Sequence, residues 1–174
     1  MENAEASYGH YIWPCASKLA ALVYERKEDI VDKVVLELGC GTGLPGLTAL
    51  SCGARMVIFS DKAGDARIAD LITQTCQKNS FLRSSWKYLP VTWGRLQPEL
   101  LTLQTVDIVL LSDCFYDPKV FDEVLFTVSY IMKAGEKSPK VWISFQERSE
   151  DWDLRASLSV EVEMFASERC LINL

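Results

Sequence analysis

The hydrophobic positions change period along the chain. After Pro14, apolar and small residues recur at Cys15, Ala16, Leu19, Ala20, Leu22 and Val23, a helical spacing behind a proline that suits a first helical turn. This predicts a helix over residues 14–28. The run Lys33–Leu38 is short and β-rich and ends at Gly39-Cys-Gly-Thr-Gly43, after which residues 45–50 read as helix. A second apolar run, Met56–Ser60, stops at Asp61, and Ile68, Leu71, Ile72 and Thr75 mark one face of a helix over 66–78. Further strands are predicted at Trp86–Val91, Asp107–Leu111 and Lys140–Phe145. Between the last two, Val120, Phe121, Val124, Leu125, Val128 and Met132 recur at helical intervals. Alternating strands and helices with near-continuous apolar strands predict an α/β fold, a parallel sheet covered on both faces. Beyond Ser159, Val160, Val162 and Met164 alternate like a strand, and the final residues carry no clear period.

Composition narrows the class. With 174 residues, 49% hydrophobic and 24% charged, the chain fits one domain over 1–174, with residues 1–30 as its N-terminal helical segment, and disorder and repeat classes are excluded. No stretch approaches the ~20 apolar residues a membrane span needs, and the start lacks the basic and apolar regions of a secretory signal. A cytosolic or nuclear protein is expected, with no membrane partner. The net charge of −6 has the wrong sign for a grip on phosphates, so a basic peptide is a better partner than a nucleic acid. Six cysteines are spread singly and read as reduced thiols. One histidine, His10, and no paired cysteines leave too few soft ligands for a metal site.

Ligands of open parallel sheets bind outside the carboxyl ends of the strands. There, Gly39, Gly41 and Gly43 let the backbone turn tightly and approach a ligand. Asp61, 18 residues after Gly43, is placed to accept hydrogen bonds from ribose hydroxyls. The spacing is G-x-G-x-G rather than the dinucleotide G-x-G-x-x-G, with Gly46 available for close helix approach. Glu37 is out of place inside a core strand, and a buried carboxylate needs a cationic ligand or backbone amides as partner. A glycine turn also serves as a plain strand-to-helix connector, and together with Asp61 it suits a nicotinamide-dependent oxidoreductase as well.

Glu37-Leu-Gly-Cys-Gly-Thr-Gly43 with Asp61 resembles the first two motifs of the seven-β-strand methyltransferases that use S-adenosylmethionine. Ser112-Asp-Cys-Phe-Tyr116 is similar to the acid-x-x-aromatic motif of methyltransferase family 16. Thr92-Trp-Gly94 is similar to that family's Trp-Gly signature, and Tyr11-Ile-Trp-Pro-Cys-Ala16 to its N-terminal tryptophan motif. The resemblance covers roughly residues 8–158 and extends to Gly43-Leu-Pro-Gly46 and Phe145-Gln-Glu-Arg-Ser149.

It implies a Rossmann-like seven-β-strand methyltransferase sandwich with S-adenosylmethionine as cofactor. Gly39, Cys40 and Gly41 would line the methionine and ribose part, with Glu37 and Gly43 in the same site and Asp61 on the ribose. Trp13, Trp93 and Ser112 would complete the pocket, since indole faces suit both adenine and a sulfonium. The plain alternatives are a core tryptophan at 93 and a staple at the start of a helix at 13. Asp113 and Tyr116 would be catalytic, orienting the target side chain at the mouth. The alternative for Asp113 is capping of a turn with Pro118.

The implied reaction is methyl transfer to a basic side chain of a protein, arginine in histone H3 or otherwise lysine, in nucleus and cytoplasm. A small-molecule methyltransferase shares these motifs. Members of the family finish the sheet with a strand pair, whereas after Asp151-Trp-Asp-Leu154 only 20 residues (174 − 154) follow. The expectation is truncated C-terminal strands, an atypical tail over 159–174 with at most one strand, and an open sheet edge. Such an edge would suit a noncatalytic form that binds cofactor or a chaperone-like partner.

Overall fold

The computed structural model describes residues 9–103, 105–135 and 137–146 in full, and the backbone of 162–166 and 170–173. The strands are β1 (Val34–Leu38), β2 (Met56–Asp61), β3 (Trp86–Pro90), β4 (Ile108–Ser112), β5 (Lys140–Phe145), β6 (Val162–Ala166) and β7 (Cys170–Asn173). They form one sheet in the order β3-β2-β1-β4-β5-β6-β7. Every neighbouring pair is parallel except β6 and β7. The order reverses direction at β1, so the crevice between the ends of β1 and β4 is the topological switch point where open α/β sheets take ligands.

Six helices accompany the described strands: α1 (Pro14–Glu25), α2 (Lys27–Ile30), α3 (Leu44–Ser51), α4 (Ala66–Lys78), α5 (Pro98–Leu101) and α6 (Phe121–Ala134). Alternation along each strand sorts its side chains to two cores. Val34, Leu36, Leu38, Ile58, Val109, Leu111, Val141 and Ile143 meet Val124, Val128 and Ile131 of α6 on one face. Val35, Val57, Phe59, Leu110 and Trp142 meet Leu19 and Val23 of α1, Ala49 and Leu50 of α3, and Ile68 and Ile72 of α4 on the other. Covering both faces is what makes the strands apolar throughout.

The α/β sandwich and its parallel sheet are as the sequence predicts, with three corrections. The helix predicted over 14–28 is two, because Arg26 leaves the helical region at φ −104° and ψ 34°, and the turn lets Ile30 enter the core. The four-residue α5 has too few turns to show a period. The tail expected to hold at most one strand holds two. β6 extends the parallel sheet beyond β5, and β7 closes back on β6 antiparallel, so the expected open edge beside β5 is covered. Four residues of β7 give no readable alternation.

Candidate functional site

The turn after β1 passes through three left-handed glycines, Gly39 (φ 63°), Gly41 (φ 48°) and Gly43 (φ 74°), a conformation that costs other residues about 1–2 kcal/mol each. Space matters as much as φ. A Cβ on Gly39 would lie 2.8 Å from Trp93 Cζ2 and 3.1 Å from Cys114 Sγ, and one on Gly41 would lie 3.0 Å from the carbonyl oxygen of Gly9. The glycine turn, the Trp-Gly loop after β3, the turn after β4 and the segment leading into α1 therefore converge at the carboxyl end of the sheet.

Asp61 is the clamp of this end. Its Oδ2 accepts the Gly41 amide and its Oδ1 accepts the Lys62 amide, each at 2.8 Å. Burial raises its pKa above the usual aspartate value against these two bonds. Glu37 lies beneath the turn, 1% exposed, and its partner is a backbone amide, as one of the two sequence alternatives required: Gly46 N–H donates to Oε2 at 2.9 Å. Burial, opposed by that bond and reinforced by Asp61, pushes the Glu37 pKa up to about 8. Gly46 is required there, since a Cβ would lie 2.5 Å from Glu37 Oε2 and from Phe59 Cε1.

The other predicted residues fall in different positions. Cys40 presents its backbone at the turn, with its amide on Ser60 O at 2.9 Å, but its side chain belongs to the core beside α1 and α3. Burial raises the thiols of Cys40 and Cys114 well above the ordinary cysteine range, so neither is an activated nucleophile. Trp93 rests against the α6-side core. Its loop is fastened to α6 by Gly94 N–H on Thr127 Oγ1 at 2.9 Å. Trp13 is the residue before α1, and its ring meets Tyr11 edge-on at 5.3 Å.

Asp113 follows β4 in the left-handed region at φ 54°, is 7% exposed, and donates its amide to Ser144 O at 2.7 Å. It does not cap the turn at Pro118. That cap is Asp117, whose Oδ1 accepts Lys119 N–H at 3.0 Å. Tyr116 is 52% exposed, on the same turn. Ser112, at the end of β4, has a buried hydroxyl with no partner among the described residues, and so does Ser60 near the end of β2. Sequence reasoning passed over Ser60, Thr127 and Gly9. Thr127 left a signal, a polar residue at the core spacing of Val124, Val128 and Ile131.

These features fit a small polar ligand with an apolar, cationic part: a turn with no side-chain carbons, two unpartnered hydroxyls that a buried site rarely leaves unsatisfied, a carboxylate and an indole. Among the described residues no three His, Cys, Asp or Glu side chains are grouped to hold a metal, and no helix is long and apolar enough to cross a membrane. Of the tail motifs, residues 147–149 and 151–154 lie outside the described residues.

A family model described as lysine methyltransferase matches residues 1–154. The chain is similar to the histone-arginine methyltransferase METTL23 of Xenopus laevis, with 39% identity covering 90% of this chain and 65% of that protein. It is also similar to the Homo sapiens protein of the same name, with 38% identity covering 85% and 76%. The chain thus spans just under two thirds of the Xenopus relative. Among solved structures, a Trypanosoma brucei PRMT1 enzyme-prozyme complex with AdoHcy superimposes with a TM-score of 0.52 at 22% identity, over 72% of this chain and 37% of that one, a likeness of fold. The motif set quoted above is similar to that of methyltransferase-like protein 23. With motifs, sheet order and family model in agreement, the chain belongs to the lysine methyltransferase family, methyltransferase family 16.

Proposed function

We propose that this chain is an S-adenosylmethionine-dependent protein N-methyltransferase acting on a basic side chain, arginine of histone H3 in the first instance. The observation that carries the reading is the convergence of the glycine turn, its Asp61 clamp, Trp93 and the Asp113–Tyr116 turn at one end of the sheet. When bound, the cofactor supplies an activated methyl group on a sulfonium.

The chain's own residues bind and orient. The backbone of Gly39, Cys40 and Gly41 would line the methionine and ribose side, and Asp61, which holds the turn, would accept from ribose hydroxyls. Ser112 gives its unpartnered hydroxyl, Trp93 and Trp13 offer ring faces, and Glu37 and Gly43 shape the floor. Asp113 attracts and orients the cationic target, and half-exposed Tyr116 stands where the substrate enters. Excluding water and holding the target nitrogen in line supply most of the acceleration in such a transfer. Lysine is the second reading, favoured by the description of the matching family. An acidic chain suits a basic histone tail, met in nucleus or cytoplasm.

The test is calorimetric titration of the 174-residue chain with S-adenosylhomocysteine, followed by transfer of labelled methyl to histone H3 with the modified residue identified by mass spectrometry. The expected result is micromolar binding, and arginine labelling that is lost in Asp113→Asn. A folded chain that takes up no S-adenosylhomocysteine overturns the reading, and label on lysine alone replaces arginine by lysine.

A further inference from the structure

Ser144 stands at a crossing that the motifs do not include. Its carbonyl accepts Asp113 N–H at 2.7 Å, and its hydroxyl donates to the Cys15 carbonyl at 2.9 Å. The residue is 1% exposed and lies opposite Ser112 in the β4–β5 register. Cys15 belongs to the first turn of α1, two residues after Trp13. Two separate atoms of one β5 residue thus hold the element that carries Trp13 and the turn that carries Asp113 and Tyr116.

Leu19 and Val23 press on the sheet without direction, because burial of apolar area is non-directional. The Ser144 hydroxyl adds a directional contact at the end of α1 nearest the glycine turn, where Gly9 already overlies Gly41. A buried hydroxyl must find such a partner or destabilise the fold.

We infer that Ser144 is a positioning residue, which sets the Trp13 segment and the Asp113 turn in register so that the cofactor side and the substrate side of the site are fixed together. The inference rests on the functional reading above, in which Trp13 lines the cofactor site.

The experiment is calorimetric titration of the full chain with S-adenosylhomocysteine in the wild type, S144A, S144T, W13A and the S144A/W13A double variant, each checked for folding by circular dichroism. S144A is expected to bind about tenfold more weakly, because a Trp13 segment no longer held in place must be ordered when ligand binds. S144T keeps the hydroxyl and is expected within about threefold of the wild type, and in the W13A background S144A should change affinity by less than about twofold. If S144A fails to fold, S144C, of similar size with a weaker donor, carries the same cycle. A folded S144A that binds like the wild type overturns the inference, and so do losses that multiply in the double variant. A folded wild type that binds nothing overturns the functional reading itself, and the role of Ser144 with it.

Discussion

The Gly41 amide donates to Asp61 Oδ2 at 2.8 Å, so the carboxylate at the end of β2 holds in place the glycine turn that follows β1. A single side chain thereby serves two strands that meet at the switch point. Asp61→Ala leaves the Gly41 amide without its acceptor in a partly buried place, at a cost of about 1–3 kcal/mol, whereas the exposed Lys62 amide can turn to water. S-adenosylhomocysteine affinity is expected to fall by about 10- to 100-fold, the equivalent of about 1.5–3 kcal/mol for hydrogen bonds to a charged group. Unchanged affinity in calorimetry would remove Asp61 from the site.

Glu37 makes stability depend on pH in an unusual direction. Its folded pKa, about 8, lies above that of the unfolded chain, so the folded state holds the extra proton between the two values. This contribution is fully present below about pH 4.5 and is lost as pH rises through about 8, about 5 kcal/mol in all at about 1.4 kcal/mol per pH unit. Chemical denaturation at pH 6 and pH 9 is expected to show the loss in the wild type. Glu37→Gln, which keeps an acceptor for Gly46 N–H, should flatten it; an equally steep dependence in that variant assigns the effect to other groups.

Two glycines should respond to alanine for different reasons. At Gly46 the new methyl meets Glu37 and Phe59 at 2.5 Å in a buried setting, and overpacking of about 1–3 kcal/mol opposes the gain of up to about 1 kcal/mol in helix propensity. At Gly64 nothing lies within 4 Å, and only the φ of 94° is strained, at about 1–2 kcal/mol. Denaturation midpoints should fall in both, and in Gly46→Ala the pH response of Glu37 should change as well. A Gly46→Ala protein more stable than the wild type would show that the floor of the turn yields freely.

Thr127 is completely buried; its hydroxyl accepts Gly94 N–H at 2.9 Å and donates to Glu123 O at 2.8 Å. Thr127→Val keeps the shape and strands the Gly94 amide, so a stability loss of about 1–3 kcal/mol is expected. Because Trp93 precedes Gly94, cofactor affinity should fall with it, and Thr127→Ser should retain both. Valine binding S-adenosylhomocysteine as tightly as threonine would separate the loop anchor from the site.

Much of this site was legible in one dimension because its residues are local to strand ends. A short, near-continuous apolar run ending in glycines, then a period of 3.6, marks a strand, a turn and a helix, and in a parallel sheet every such turn falls at the same end. That reasoning places Gly39, Gly41, Gly43 and Asp61 at one end, and the family resemblance adds Trp93 and Asp113 to it. It could not tell which atoms meet. Asp61 holds a backbone amide of the turn, Cys40 turns its thiol into the core, Asp117 rather than Asp113 caps the turn at Pro118, and Glu37 answers to Gly46.

The sequence by itself determined the alternation of strands and helices, the parallel sheet and the family, since each depends on period and short motifs read along the chain. Only the tertiary structure decided that β7 pairs with β6 to finish the sheet, that Thr127 anchors the Trp93 loop, and that Ser144 joins residues 129 positions away at Cys15 to the Asp113 turn. The Thr127 and Ser144 contacts are hydrogen bonds between residues far apart in sequence, and β7 pairs locally with β6 through a run too short to show a period. Their geometry is set by how the two faces of the sheet are covered, a quantity that no local pattern carries.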